Sequence, residues 1–252
     1  MIETHRLSKK YQDTLVVDGV TLQIAQGGLT AIIGPNGAGK STLLSMISRL
    51  TPMSAGSVEI DGLDVTRTPG PELARRLAIL RQHNDSTLRL TVRDLVAFGR
   101  FPHSAGRLTV EDQHHIDDAI HYLELGEYQH RHLDELSGGQ RQRAYVAMLL
   151  CQDTHYVLLY EPLNNIDIHH AVGMMQLLRR AADEKGKTVV VVLPDINFAS
   201  CYADQIIAMR RVQLAYQGTV EDMICSEVLS ELYEIPMQVH ELNGQRICVY
   251  FR

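Results

Sequence analysis

Leu29-Thr30-Ala31-Ile32-Ile33-Gly34-Pro35-Asn36-Gly37-Ala38-Gly39-Lys40-Ser41-Thr42 decides the fold: an apolar run ends in glycine, turns through more glycines, and continues into helix-forming residues. The run LTAIIG (29–34) reads as a buried strand, and a helix begins near Lys40 and extends to about Leu50. Residues 34–41 fit the phosphate-loop pattern G-x-x-x-x-G-K-[ST]. A strand before and a helix after is the setting that pattern requires. Glycines let the backbone wrap closely around phosphate, and its N–H groups together with the helix N-terminus supply positive potential. Gly34, Pro35, Asn36, Gly37, Ala38, Gly39, Lys40, Ser41 and Thr42 are therefore the candidate nucleotide-binding residues. Lys40 is expected to reach the β- and γ-phosphates, and Ser41 to hold Mg2+ through its hydroxyl.

Outward from this loop, residues 2–7 and 15–25 alternate apolar and polar like antiparallel strands, and 77–81 reads as a further strand. From about 83 to 150 the pattern is helical, best at 91–97, 109–125 and 137–151. Strands return at HYVLLY (155–160) and TVVVVL (188–193), separated by a helix over roughly 168–184. A hairpin at 205–217, a helix at 226–234 and a strand near 246–251 follow. Strands alternating with helices argue for a mostly parallel sheet covered on both faces. The expected fold is α/β: one domain over 1–252, with a nucleotide-binding core (1–82 and 151–252), an antiparallel β subdomain, and an inserted helical subdomain at about 83–150.

Composition agrees with a folded domain and narrows its partners. The chain has 252 residues, 45% apolar and 21% charged, enough to build a sizeable core. A formal net charge of −6 draws the chain to neither nucleic acid nor an anionic membrane. Cys151, Cys201, Cys225 and Cys248 form no C-x-x-C, so buried free thiols are expected rather than a zinc site. The first residues are polar and no run of 18 apolar residues occurs, so neither a signal peptide nor a membrane-spanning helix is expected. The expected location is cytoplasmic, with any membrane link made through a partner. His114, His115, His121, His130 and His132 lack a supported metal-ligand spacing and read as solvated helix residues.

Leu136-Ser137-Gly138-Gly139-Gln140-Arg141-Gln142-Arg143 is a second landmark: a serine and two glycines at a helix start form another anion-binding terminus. It resembles the signature motif of ABC ATPases, and together with the phosphate loop it marks a resemblance to that family along essentially the whole chain. Within the family, Leu90–His103, Glu161-Pro162-Leu163-Asn164-Asn165 and Asp195-Ile196-Asn197-Phe198-Ala199 are similar to the ATP-binding subunits of iron–siderophore and cobalamin importers, the siderophore group most closely.

The resemblance implies roles. Tyr11 would stack on adenine, Gln82 would meet Mg2+ and the attacking water, and Glu161 would be the general base. Ser137, Gly138, Gly139 and Gln140 would grip the ATP of the opposite subunit, and Asn164-Asn165-Ile166-Asp167 would form the D-loop. It further implies ATP and Mg2+ as cofactors and a homodimer peripheral on the inner face of the cell membrane. Permease subunits would dock at about residues 83–105, with a siderophore-binding protein as an indirect partner and no nucleic acid.

Two positions depart from that family's pattern. Its Walker B strand ends in Asp then Glu, whereas this chain has Tyr160-Glu161; its switch histidine is here Pro194. A phenol is neutral at pH 7 and a poor substitute for the carboxylate that supports Mg2+. It is also bulky and expected to stand near the metal, disturbing Glu161. Proline has no side-chain donor and no backbone N–H. Weakened Mg2+ binding and severely impaired hydrolysis are expected, with ATP binding partly retained. The alternative is a non-hydrolysing structural subunit paired with an active ABC partner. A DNA-repair or translation ATPase ranks last, because there is one phosphate loop and no sustained heptad pattern. Arg211-Val212 stands where such hairpins favour Asn-Gly, so a remodelled or weakened turn is expected.

Overall fold

The computed structural model describes residues 1–81, 89–164 and 166–251. In chain order, β1 (Ile2–Tyr11), β2 (Thr14–Ile24) and β3 (Gly28–Ile33) lead into α1 (Lys40–Ile47). Next come β4 (Ala55–Ile60), β5 (Leu63–Asp64), α2 (Gly70–Ala74) and β6 (Leu77–Leu80). Four helices follow: α3 (Val92–Phe98), α4 (Phe101–Ser104), α5 (Val110–Tyr122) and α6 (Gly138–Cys151). The chain returns to the core with β7 (Tyr156–Tyr160), α7 (Ile168–Lys185), β8 (Thr188–Val192) and α8 (Ile196–Tyr202). It closes with β9 (Gln205–Arg210), β10 (Gln213–Thr219), α9 (Val220–Met223), α10 (Ser226–Tyr233), β11 (Gln238–Leu242) and β12 (Gln245–Val249).

The central sheet has the order β10-β9-β3-β8-β7-β6, parallel except for the β9–β10 hairpin. A separate antiparallel sheet has the order β2-β1-β4-β5. Side chains alternate between the two faces of a strand, so parity assigns each core residue to a layer. Ala31, Ile33, Val157, Leu159, Val189 and Val191 join the layer that includes Met174, Leu178 and Val146. Ile32, Tyr156, Leu158, Tyr160, Val190 and Val192 join the other, with Leu43, Leu44 and Ile47 of α1 and Val58 and Ile60 of the small sheet. Burial on both faces explains why the three central strands read as continuous apolar runs.

Of the helices at 92–151, α3, α5 and α6 begin where side chains cap them. Thr91 and Asp94 form a capping box on α3, and Thr109 and Asp112 form one on α5. Buried Arg100 joins these helices, its Nε donating to Asp112 Oδ1 at 2.8 Å and its Nη1 to the Cys151 carbonyl at 2.9 Å.

Several elements escape the periodicity. β1 runs four residues past the expected end because Arg6 takes a φ of 48° and the pairing shifts register after Thr4, which breaks the apolar alternation. β4 buries only Val58 and Ile60 and turns at Asp61-Gly62, both at positive φ. β5, α2, α4 and β11 are equally short or exposed, below what apolar spacing can mark. The turn at 211–212 is not remodelled. Arg210 pairs with Gln213 across a two-residue loop, with φ 48° at Arg211 and 65° at Val212. The backbone keeps the shape asparagine and glycine would favour and imposes it on valine.

Candidate functional site

Three parallel strands deliver the site, because β3, β7 and β8 end side by side at their carboxyl edge, where open α/β sheets place their ligands. From β3 the chain turns through residues 34–39 into α1. Gly34 takes a φ of 139°, and a Cβ there would lie 2.0 Å from the Met209 carbonyl oxygen of β9. Gly39 takes a φ of 94°, and a Cβ there would lie 2.5 Å from the Val16 carbonyl oxygen of β2. These two glycines are required by close approach as well as by conformation. Ala38 N–H closes the turn onto the Pro35 carbonyl at 3.2 Å, and Asn36, Gly37 and Ser41 are exposed.

Lys40 crosses the loop, its Nζ donating to the Gly34 and Pro35 carbonyls at 2.7 and 2.9 Å. Burial lowers the pKa of this ammonium, and the Glu161 carboxylate charge opposes that shift. The two groups thus lie within electrostatic reach across the strand ends. Thr42, one residue further into α1, is half-buried. Tyr11, the last residue of β1, is half-exposed, and Lys9 Nζ lies 4.7 Å from its ring centroid. Contact of β2 with Gly39 sets this hairpin beside the loop.

Strand parity points residue 160 toward α1 whatever its identity. The Tyr160 phenol is buried in that layer, and its hydroxyl donates to Ser45 Oγ at 2.8 Å. Ser45 lies one helical turn beyond Ser41. The bulk expected at the metal position is therefore threaded beneath α1, bonded to a serine beyond Ser41, the residue expected to hold Mg2+. Burial raises the phenol's pKa, so it remains neutral. Glu161 is placed at a φ of 41°, a strained geometry costing roughly 1–3 kcal/mol for a non-glycine residue. Its Oε2 accepts from Asn164 Nδ2. Pro194 is exposed after β8. Asp195 caps α8, accepting from Asn197 N–H at 2.7 Å, so its carboxylate serves the helix rather than replacing a lost histidine. Gln82 and Asn165 lie outside the described residues.

Among the described residues, the donors that sequence reading offers for Mg2+ are few, Gln82 lying outside them. Ser41 offers one hydroxyl, the side chain at 160 offers a phenol already bonded to Ser45, and no cluster of three or more His, Cys, Asp or Glu groups exists among the described residues. Mg2+ ordinarily takes one or two carboxylates besides phosphate oxygens.

Ser137 caps α6: its Oγ accepts from Gln140 N–H at 3.3 Å, and Gln140 Oε1 accepts from Ser137 N–H at 3.0 Å. Ser137 and Gly138 are exposed and Gly139 is buried. The reason is His170, whose Cδ2 would lie 2.2 Å from a Cβ on Gly139. His170 also binds Asp167, through its backbone N–H at 3.0 Å and through Nδ1 at 2.6 Å. These contacts, the backbone N–H first, lower the Asp167 pKa. Asp167 caps α7, so one imidazole touches both Asp167 and Gly139 at the start of α6.

Sequence reading passed over Ser45, Tyr233 and the role of His170. Only His170 carried a signal, three residues after a capping Asp. Tyr233 accepts from the Gly34 N–H at 3.1 Å across 199 residues of sequence, a contact no local pattern announces. His114, His121 and His130 are exposed, as expected, whereas His115 and His132 are half-buried. All four cysteines are free, but only Cys151 and Cys248 are buried as expected; Cys201 and Cys225 are half-buried.

Comparison with known proteins gives three findings. The family model described as "ABC transporter" matches residues 17–164. The chain is 47% identical over 251 residues to the petrobactin import ATP-binding protein YclP of Bacillus subtilis (strain 168), covering 100% of both, and 50% identical over 250 residues to the petrobactin import ATP-binding protein FatE of Bacillus anthracis, covering 99% and 100%. A solved dimeric structure of the bacterial ABC transporter cassette MJ0796 superposes with a TM-score of 0.76 at 29% identity, over 87% of this chain and 99% of that one.

Proposed function

The chain belongs to the ABC transporter family, and from that premise we propose that it is the ATP-binding subunit of an importer for ferric siderophores in which ATP binding outlasts hydrolysis. The import reading rests on two relatives similar over their full length and named for petrobactin import. Residues 34–42 bind the triphosphate, Tyr11 takes the adenine face, and Ser137, Gly138, Gly139 and Gln140 grip the nucleotide held by a second copy. The dimeric cassette supports that arrangement.

Permease docking falls on the helical subdomain, within the segment at about 83–105. There Phe98 and Phe101 are 50% and 59% exposed and line a groove of about 370 Å3 with Leu90, Ala97 and Leu108. No helix among the described residues is long and apolar enough to cross a membrane, so the peripheral position on the inner face comes through the permease.

The impairment rests on one observation, the Tyr160 hydroxyl on Ser45 Oγ at 2.8 Å where the family's pattern has a carboxylate. A carboxylate at the strand end would support the Mg2+ shell; the phenol instead packs into the core. Pro194 removes a second group, one that would contact the γ-phosphate. Phosphoryl transfer depends on positioning and charge neutralisation, and loss of one charge-stabilising group costs roughly 10²–10³-fold. The two losses act on one unit and need not multiply. Glu161 remains as the candidate base, and Gln82 as a candidate Mg2+ and water contact.

The test compares this chain with its Tyr160→Asp, Pro194→His double variant. ATP affinity with and without Mg2+, phosphate release and melting temperature are measured on both. The parent is expected to bind ATP with little dependence on Mg2+, and the double variant to release phosphate at least ~10²-fold faster. Equal release rates in two folded proteins would overturn the impairment. Brisk Mg2+-dependent release by the parent would do the same.

A further inference from the structure

We propose that Tyr233, at the end of the C-terminal helix α10, is a positioning residue for the phosphate loop: its hydroxyl accepts the Gly34 N–H and holds the loop's entry in the shape that receives a triphosphate. The inference rests on the reading of residues 34–41 as the nucleotide site. Gly34 is buried directly after β3, and its N–H leaves the strand ladder to donate to Tyr233 at 3.1 Å. A buried backbone N–H without a partner is costly, so this bond decides where the loop departs from the sheet. On its other side the loop is stopped by β9, since a Cβ on Gly34 would lie 2.0 Å from the Met209 carbonyl oxygen. Gly34 is thus wedged between a strand and a phenol.

The phenol itself is fixed by links on both sides. Arg210 Nη1 donates to the Glu231 carbonyl at 2.5 Å, and the Tyr216 hydroxyl donates to the Glu231 carboxylate at 2.5 Å. Arg211 Nη2 meets Glu234 Oε1 at 2.6 Å. The β9–β10 hairpin therefore grips α10 at Glu231 and Glu234, on either side of Tyr233, and the strained turn carrying Arg211 is part of the grip. Burial pushes the Tyr233 pKa up to about 12, so the hydroxyl stays protonated at neutral pH.

The test is Tyr233→Phe in the full chain, which keeps the ring and removes only the hydroxyl. Titration with a fluorescent ATP analogue gives affinity, melting temperature reports global stability, and amide exchange of the peptide containing Gly34 reports the loop directly. Tyr122→Phe, on remote α5, is the control. Tyr233→Phe is expected to bind the analogue ~10-fold more weakly, the size of one lost buried hydrogen bond, and to exchange Gly34 faster. The control is expected to stay within about 2-fold of the parent. Parent-like affinity and exchange in Tyr233→Phe would overturn the role of Tyr233 and leave the nucleotide reading intact. If the parent binds no ATP analogue, the nucleotide reading fails and this inference falls with it.

Discussion

Val212 illustrates how a single side chain is held against its own preference. A β-branched residue at a φ of 65° crowds its own backbone, yet the turn keeps that geometry because its neighbours use it. The Val212 carbonyl accepts from Asp18 N–H at 2.8 Å, and Arg211 reaches Glu234. Neither contact needs the valine side chain. Val212→Gly is therefore expected to stabilise the chain by about 1 kcal/mol, read as a higher urea midpoint at unchanged slope. A lower midpoint would mean that the isopropyl group packs more usefully than its backbone strain costs. Tyr160 is the opposite case: its backbone is not at positive φ, parity aims it at α1, and burial raises its pKa so that it stays neutral.

Among elements, the link between the short helices and α5 carries the clearest pH signature. Arg100 and Asp112 are both buried and bonded to each other, and Asp112 also accepts from Thr109 at the α5 N-terminus. The Thr109 backbone N–H, then Arg100, hold the Asp112 pKa at about 2, below its ordinary value of 3.8. A carboxylate depressed in the folded state stabilises above its unfolded pKa and loses that contribution as pH falls through the folded one. The contribution is thus complete above about pH 4 and fades toward pH 2. Asp112→Asn, which strands Arg100 in the interior, is expected to cost about 3 kcal/mol at pH 7 and less at pH 3, measured by denaturant unfolding at both. An equal cost at both pH values would show that the pair is not what the substitution removes.

For the molecule as a whole, the docking surface proposed at Phe98 and Phe101 can be tested apart from folding. Phe98 and Phe101 are exposed, so their joint replacement by Ser is expected to change stability by less than about 0.5 kcal/mol and to leave ATP affinity intact. Recovery of the chain with its permease from detergent-solubilised membranes is expected to fall at least ~10-fold. Undiminished recovery would move the docking surface elsewhere.

At this scale it is also clear what sequence could tell. The phosphate loop, the apolar strands at 156–160 and 188–192 and the capped helices were legible because each is a local pattern. β4 and β5 were not, since β4 buries only two residues and β5 is two residues long with neither buried, too little for a measurable period. Ser45 over Tyr160 and Tyr233 behind Gly34 were invisible for another reason: they are contacts across 115 and 199 residues, fixed by how layers stack.

With His170 leaning on Gly139 while clasping Asp167, the first turn of α6 and the loop ahead of α7 form a single mechanical part. In a two-copy assembly of the kind proposed above, the two are expected to arrive and withdraw together, so that a change felt by either loop crosses the seam as one displacement.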